Sequence, residues 1–412
     1  MSRRQMSFPW TCIAAAAVVL AGCGGGGGGS ASNPTSNGGH PPASNPPYEL
    51  PDPASAPALK DSYGGYFRVG GAIEPSQLQV ASDANLLTRH LSSLTAENAM
   101  KPQTIAPTDP SQSGYVFGPA DELVAFARSH GMAVRGHTLL WHFGAPQWFF
   151  EGPKDSDPVG YRNLVRQRLE DYITDVVTHF KDDVYAWDVV NEVASDASGA
   201  IYRTDSPWYQ AFSVGGGDGA EYIEIAFRAA RAADPNALLF INEYNTELPA
   251  KRANLLAIVD DLISKGVPID GVGHQLHVSL DVSTHAVSDA LTAVEQRNLI
   301  NHVTELDISI YLDPSTCAAV RASPPCIADY GTSPPASVLA AQALVYRALY
   351  NVFKDHDASV ESVSTWGIHD AHTWLTSFQG RTNSPLLFDH QRLPKAAFWA
   401  IVDPAFAIKT ST

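Results

Sequence analysis

The stretch Tyr185-Ala186-Trp187-Asp188-Val189-Val190-Asn191-Glu192 decides the fold, because a run of apolar and β-branched residues ends abruptly on an amide beside a carboxylate. Such a run is typical of a buried strand. A second run of this kind, residues 300–306, carries Glu305 at its end, followed by Asp307. In an α/β barrel, the carboxyl ends of the strands form the face that carries the chemistry. We therefore expect both glutamates at one face of one barrel.

Short apolar runs alternate with longer amphipathic segments from residue 66 onward, which favours a parallel sheet with crossover helices. The predicted strands are 67–72, 93–98, 133–140, 184–190, 237–242, 271–277, 300–306 and 360–368. The predicted helices include 120–130, 161–180, 219–233, 249–265, 337–354 and 395–401. Eight such units predict a TIM (β/α)8 barrel over 59–407, with loop insertions at 196–218 and 311–335. An open doubly wound sheet is the alternative, but no Gly-x-Gly-x-x-Gly follows the first strand.

Composition narrows the class of protein. The chain has 412 residues, 44% of them hydrophobic, and a formal net charge of −16. The hydrophobic fraction is sufficient for a sizeable core. The negative net charge argues against nucleic acid and anionic lipid as partners. We expect a monomer that acts on a neutral polymer and needs no cofactor.

The N-terminus has the pattern of an export signal. Arg3 and Arg4 precede the apolar run 13–21, which is too short to span a bilayer. The motif Leu20-Ala21-Gly22-Cys23 then resembles a bacterial lipobox, whose cysteine is lipidated and becomes the first residue once residues 1–22 are removed. An ordinary cleaved signal is the alternative.

Residues 23–58 follow the signal and are rich in Gly, Ser, Asn, Pro and Ala, a composition typical of a disordered tether. Gly24 is not the aspartate associated with inner-membrane retention, so we expect an anchor in the outer membrane or at the cell surface. This lipid is the only membrane contact that we predict.

Two cysteines lie beyond the signal and the lipobox. Outside the cytoplasm, neighbours such as Cys317 and Cys326 usually form a disulfide. Two free buried thiols are the alternative. A metal site is less favoured, because no Cys-x-x-Cys or His-x-x-x-His spacing accompanies them.

Two carboxylates at the ends of two barrel strands suit cleavage of a glycosidic bond, which needs one neutral and one ionised carboxyl group. Glu305 and Asp307 share one face of their strand, and His277 on the preceding strand is placed to hydrogen-bond to both and keep Glu305 ionised. We therefore assign Glu305 as nucleophile and Glu192 as general acid/base, with Asn191 beside it. A metal site built from His277, Glu305 and Asp307 is the rival interpretation, although it lacks a further obvious ligand.

Tryptophans near the predicted strand ends supply apolar faces on which a pyranose ring can stack. Trp141, Trp366 and Trp374 lie where an extended sugar chain would contact them. Each is also compatible with a place in the core, and Trp187 within its strand is assigned to the core.

Several blocks in order match a known family. They are TAENAMK (95–101), GHTLLWH (136–142), WDVVNE (187–192), GVGHQLH (271–277), TELD (304–307), WG (366–367) and PLLFD (385–389). With these blocks the chain resembles glycoside hydrolase family 10, the retaining endo-1,4-β-xylanases, across residues 66–404.

The resemblance implies the same two roles for Glu192 and Glu305. It also implies contacts to the xylose units on the non-reducing side of the scissile bond, from Glu97, Asn98, Lys101, His137, Trp141 and Gln275. Trp366 and Trp374 would roof that region. Retention follows if the two carboxyl groups lie about 5 to 5.5 Å apart. A retaining β-1,4-glucanase, an oligosaccharide-acting enzyme and an inactive glycan-binding lipoprotein are the alternatives.

Three stretches depart from the family pattern. Phe143-Gly144 stand where Ser-Gln or Asn-Gln is usual, which removes a sugar contact. Glu243 replaces the commoner aspartate, and His369 and His372 replace small polar residues. These departures bear on substrate preference rather than on reaction type.

Overall fold

The structure is a computed structural model that describes residues 46–314, 316–317, 326 and 328–409. The predicted signal peptide, Cys23 and residues 23–45 of the predicted tether lie outside the described residues. So does most of the segment between the two cysteines of the second predicted loop insertion.

Ten strand segments form one closed parallel barrel. They are β1 (Arg68–Ile73), β2 (Ser93–Ala96), β3 (Ala133–Gly136), β4 (Leu140–Trp141), β5 (Val184–Asn191), β6 (Leu238–Glu243), β7 (Gly271–His274), β8 (His277–Ser279), β9 (Ile300–Ser309) and β10 (Val360–Thr365). The barrel closes because β10 pairs with both β9 and β1. The predicted (β/α)8 barrel is confirmed.

Two predicted strands are interrupted at the cleft. Both β3 and β4 pair with β5, and both β7 and β8 pair with β9, so each pair of segments is one barrel strand with a break. A cis peptide bond joins His137 to Thr138 in the first break, and Leu276 in the second has a φ of +55°. The prediction that each of these two strands is continuous was wrong. The backbone leaves the strand pairing at the residues whose polar side chains enter the site.

Helices surround the barrel. Their bounds are Leu59–Tyr63, Pro75–Leu78, Ala81–His90, Pro102–Ile105, Pro110–Ser113, Gly118–Ser129, Pro158–His179, Pro207–Ser213, Glu221–Ala233, Pro249–Ser264, Thr284–Glu295, Ala336–Asp355, Trp374–Gln379 and Ala396–Val402. In Glu221–Ala233 the buried residues Ile223, Ala226, Phe227 and Ala230 recur at helical spacing and face the sheet. The charged residues of this helix lie on its outer side.

The six predicted helices are all present, but Ala81–His90 and Thr284–Glu295 were missed. The second helix does carry a helical pattern, since Val287, Leu291 and Val294 are buried on one face. Its opening residues, Ser283 and Thr284, are typical of caps and loops, and the Ser283 hydroxyl indeed caps the helix by accepting from the backbone N–H of Ala286.

The interior of the barrel carries a buried ionic pair. The Arg135 guanidinium on β3 pairs with the Asp188 carboxylate on β5, and both side chains are almost fully buried. Asp188 also lies 2.9 Å from Nδ1 of His137. Trp187, on the other face of β5, is 1% exposed and belongs to the core, as predicted. Charge inside the barrel is thus connected directly to the floor of the cleft.

Part of the predicted tether packs against the barrel domain. The Tyr48 ring lies 6.2 Å from that of Phe406, Ala56 is buried, and the backbone N–H of Lys409 donates to the Pro47 carbonyl over 2.7 Å. Pro47 and Tyr48 therefore contact the C-terminal segment, while the Ala56 carbonyl accepts from Arg89. Within the described residues, none of the helices combines the length and apolarity that crossing a membrane requires.

Cys317 and Cys326 form a disulfide with Cα atoms 5.4 Å apart. The bond lies in the long segment after β9. The predicted pairing is thus present in the structure.

Candidate active site

Glu192 follows β5 directly, and its carboxylate points to hydrogen-bond donors from three strands. Trp141 Nε1 donates to Oε2 over 2.8 Å, while the side-chain amides of Asn191 and Gln275 each donate to Oε1 over 3.2 Å. The backbone N–H of Glu192 donates to the Asn242 carbonyl over 2.9 Å. The side chain is 15% exposed, so the carboxyl group is held but reachable.

Glu305 lies on β9 and is almost fully buried. Its Oε2 is 3.0 Å from His277 Nε2, its Oε1 accepts from the Asn242 amide over 2.7 Å, and His137 Nδ1 is 3.9 Å away. Burial alone would raise the pKa of Glu305, but the hydrogen bond from His277, the nearby histidine charges and the Asn242 amide lower it to about 2. This carboxyl group is ionised at neutral pH.

His277 lies between two carboxylates. Its Nδ1 is 2.9 Å from Asp307 Oδ2, which also accepts from Trp374 Nε1 over 2.9 Å. Burial would lower the pKa of His277, but the charge and hydrogen bond of Asp307, together with Glu305, raise it to about 10. Both ring nitrogens of His277 are thus engaged with carboxylates, and among the described residues no group of three or more His, Cys, Asp or Glu side chains is arranged to hold a metal ion.

An amide bridge connects the two glutamates. Asn242 Nδ2 donates to Asn191 Oδ1 over 2.8 Å as well as to Glu305, and Thr304 Oγ1 donates to Asn242 Oδ1 over 2.7 Å. The Thr304 contact fixes which end of the Asn242 amide faces Glu305. Asn242 was given no role in the predicted site, although it is the penultimate residue of β6 and pairs in the barrel with Asn191.

A polar cluster lies at the ends of β1 and β2. The Asn98 amide donates to the Glu74 carboxylate, and Lys101 Nζ donates to Asn98 Oδ1 over 3.0 Å. Glu97 Oε2 lies 3.0 Å from His372 Nε2, and this hydrogen bond raises the pKa of His372. Glu74 was missed by prediction, and only its place directly after β1 signals it.

Lys101 joins this cluster to the aromatic residues. Its ammonium group lies 5.0 Å from the Trp141 ring centroid and 5.5 Å from that of Trp366, which itself meets the His137 ring edge-on at 5.1 Å. Burial lowers the pKa of Lys101 despite the surrounding carboxylates. The predicted residues Trp141 and Trp366 therefore share one cation, while Trp374 lies against His277 at 4.9 Å.

The Phe143-Gly144 departure brings in another glutamine. Gly144 has a φ of +80°, and a Cβ atom there would lie 2.7 Å from the Gln103 carboxamide oxygen. Gln103 thus occupies the space in front of Gly144. Phe143 is 44% exposed and packs edge-on against Trp141 at 5.2 Å.

The other departures fall in different places. Glu243 is fully buried behind the site, where burial raises its pKa to about 7 although the Lys251 charge opposes this. His369 is buried 3.3 Å from Asp83, away from the cleft residues, whereas His372 contacts Glu97. Of the two departing histidines, the structure therefore brings only His372 to the predicted site.

A (β/α)8 barrel whose cleft holds two carboxylates, Glu192 directly after β5 and an ionised Glu305 on β9, with amide donors to both, is the arrangement of the class of glycoside hydrolases. The sequence model of glycosyl hydrolase family 10 matches residues 58–404, and the chain belongs to this family.

Two relatives match this chain over most of their own length. A thermostable celloxylanase of Thermoclostridium stercorarium is 42% identical over 363 residues, which cover 85% of this chain and 88% of the relative. Endo-1,4-beta-xylanase A of Halalkalibacterium halodurans is 39% identical, covering 84% and 86%. The crystal structure of xylanase B from Clostridium stercorarium F9 superposes with a TM-score of 0.76 at 42% identity, covering 84% of this chain and all of the other.

Proposed function

We propose that the protein is an endo-1,4-β-xylanase that hydrolyses internal bonds of xylan with retention of configuration. The observation that carries the proposal is the pair Glu192 and Glu305, which differ in burial and in hydrogen-bond partners and are joined through Asn242 and Asn191. The names of relatives that share 39–42% of their residues with the chain support xylan as the substrate.

In the first step, Glu305 attacks the anomeric carbon of the xylose unit at the scissile bond, forming a glycosyl ester. The bond from this carbon to the leaving oxygen breaks, and protonated Glu192 transfers its proton to that oxygen. Trp141, Asn191 and Gln275 direct the Glu192 carboxyl group toward the cleft.

In the second step, water enters on the side of Glu192, which now takes a proton from it. The water oxygen forms a bond to the anomeric carbon, the ester bond to Glu305 breaks, and the carboxylate leaves ionised. Two inversions give net retention. The low pKa of Glu305 suits it to both attack and departure.

Xylose units on the non-reducing side would contact the polar cluster and the tryptophans. Carboxylate, amide and ammonium groups can bind sugar hydroxyls, while the indoles present faces for stacking. The proposed contact residues are Glu97, Asn98, Lys101, His137, Trp141, Gln275, Trp366 and Trp374. His277 and Asp307 would keep Glu305 ionised and aimed.

We also propose that the enzyme is anchored through lipid on Cys23 to the outer membrane or the cell surface, with the barrel acting as a monomer at the end of the tether. The lipobox supports the anchor. In cells expressing the full chain, Cys23→Ser is expected to move activity from the membrane fraction to the soluble fraction. Activity in the soluble fraction both with Cys23 and with Cys23→Ser would favour an ordinary cleaved signal.

The function is tested by reducing-sugar release from soluble xylan and from carboxymethyl cellulose, with product sizing. We expect xylan to be the better substrate and the first products to be a range of oligomers, as endo cleavage produces. The relative named a celloxylanase favours β-1,4-glucan as a second candidate substrate. Preference for carboxymethyl cellulose would support it, and no release from either polymer would refute the proposal.

A further inference from the structure

We propose that Arg203, on the segment after β5, is a positioning residue for Glu192 that acts through the Glu192 backbone. The inference rests on the proposed role of Glu192 as general acid/base. Arg203 does not contact the Glu192 carboxylate. Its Nε donates to the Glu192 carbonyl over 2.8 Å.

The backbone of Glu192 has an uncommon conformation. Its φ is +60°, in the left-handed region that residues with a Cβ atom rarely occupy. Such conformations persist where the surrounding structure holds them, and they concentrate at functional sites. The Asn242 carbonyl fixes the Glu192 N–H and Arg203 fixes its carbonyl, so both flanking peptide groups are held. This turn directs the side chain away from the strand and toward Trp141.

Arg203 is itself held by a network of polar side chains. Its guanidinium donates to the Tyr244 hydroxyl over 2.6 Å and lies 3.3 Å from Asp196, and its side chain is only 12% exposed. The Tyr244 hydroxyl in turn donates to Asp196 over 2.6 Å, and Lys251 Nζ lies 2.8 Å from the same carboxylate. These contacts hold the Arg203 side chain in the position from which Nε reaches the Glu192 carbonyl.

The chain after Glu192 is tied down at successive residues. The Arg203 N–H donates to the Val193 carbonyl over 2.8 Å, and Ala194 bridges Tyr202 in antiparallel fashion. The Ala194 N–H donates to Glu243 over 3.0 Å, and its carbonyl accepts from Lys251 over 2.8 Å. This gives Glu243 a structural reason to be buried. The segment forms a rigid support in which Arg203 makes the contact nearest to the carboxyl group.

A general acid must deliver its proton along the line of the leaving oxygen, and small errors of position reduce its effect. Loss of the Arg203 contact is therefore expected to impair steps that need Glu192 and to spare the attack by Glu305. A substrate whose leaving group departs without a proton therefore distinguishes a defect in proton transfer by Glu192 from a defect in the attack by Glu305.

The test compares Arg203→Met with wild type on phenyl β-xylobioside and on 2,4-dinitrophenyl β-xylobioside. We expect kcat/KM to fall about 10- to 100-fold on the phenyl substrate, whose leaving group needs protonation, and by less than about threefold on the dinitrophenyl substrate. Because hydrolysis of the glycosyl ester also needs Glu192, kcat on the dinitrophenyl substrate falls as well, and added azide restores it.

Arg347→Met is the matched control. Arg347 Nε also donates to a backbone carbonyl, that of Ala400, over 2.9 Å, but on the outer helix Ala336–Asp355. A general loss of stability affects both substrates equally in either variant. Tyr244→Phe removes the hydroxyl that holds Arg203 and is expected to give the same selective loss to a smaller degree, so it replaces Arg203→Met if that variant does not fold.

Equal losses on both substrates in Arg203→Met and in Tyr244→Phe, with no effect of azide, would overturn the inference. The proposed function would fail differently. In that case wild type would not release sugar from xylan, or Glu192→Ala would lack the same dependence on the leaving group.

Discussion

Nε2 of His277 lies 3.0 Å from the Glu305 carboxylate, and the opposite ring nitrogen lies 2.9 Å from Asp307. One buried imidazolium therefore balances two carboxylates on β9. The pairing shifts the two pKa values in opposite directions. The pKa of His277 rises to about 10, and that of Glu305 falls to about 2. The proposed nucleophile is thus charged and held in place by hydrogen bonds before substrate binds.

This pairing predicts a pH dependence of stability. The pKa of His277 is raised from 6.5, so its stabilisation is fully present below pH 6.5 and is lost as the pH rises to about 10. Glu305 acts with the opposite sign, because its pKa is lowered from 4.5 and its stabilisation is lost as the pH falls to about 2. Urea unfolding of wild type and His277→Asn at several pH values measures this. The difference in unfolding free energy is expected to shrink by more than about 1 kcal/mol between pH 6.5 and 9.5.

His285→Asn is the control for this experiment, because the His285 side chain is 88% exposed. Its difference from wild type is expected to stay nearly constant over the same range. A difference for His277→Asn that grows with pH would contradict the ion-pair account.

Asp307→Asn tests whether the charge on Asp307 matters for Glu305. Without that charge the pKa of His277 falls, less of it is protonated, and the pKa of Glu305 rises. We expect kcat/KM on dinitrophenyl β-xylobioside to fall on the order of tenfold or more, and its acid limb to move to higher pH. Asp260→Asn, which removes a surface carboxylate paired with Arg297, is expected to leave the acid limb in place. An unmoved acid limb in Asp307→Asn would count against the coupling.

Glu192→Ala tests the role of the general acid. On xylan, kcat/KM is expected to fall about 10²- to 10⁴-fold, because the leaving sugar oxygen needs a proton. On dinitrophenyl β-xylobioside the loss is expected to stay below about tenfold, and azide is expected to raise kcat and give the β-configured azide product. Equal damage to both substrates would mean that Glu192 is not the acid.

Glu97→Gln tests substrate binding at the polar cluster. The change keeps the size of the side chain but removes the charge that faces His372. Because the proposed contact of Glu97 is to a xylose unit beyond the reacting bond, we expect KM for xylotriose to rise about tenfold with kcat changed less than about threefold. A fall in kcat with KM unchanged would place Glu97 at the reaction itself.

The sequence predicts the end of β5 well, because a buried parallel strand is apolar until it leaves the core and Asn191 stands out against its neighbours. Glu305 stands out in the same way, but β9 continues past it to Ser309 with its residues still buried. Contacts between distant segments are not visible in such a pattern. Glu74 belongs to the polar cluster because it accepts a hydrogen bond from Asn98. Arg203 reaches the Glu192 carbonyl because the chain turns back and Tyr202 pairs with Ala194.

Two residues of the same type that follow the same strand are also hard to assign to different places from the sequence. His369 and His372 both follow β10, but His369 turns into the core toward Asp83 and His372 reaches Glu97. Gln103 likewise acquires its place only because Gly144 leaves room for it. These outcomes depend on packing rather than on local propensity.

The central claim is that Glu305 is the nucleophile, facing Glu192 across one cleft. Incubation with 2,4-dinitrophenyl 2-deoxy-2-fluoro-β-xylobioside tests it most directly, because the fluorine slows breakdown of the glycosyl ester while the leaving group still allows it to form. Mass spectrometry of a protease digest is expected to find the fluorinated disaccharide on the peptide that carries Glu305. A label on the peptide that carries Glu192, or hydrolysis to the inverted anomer with no covalent adduct, would contradict the account.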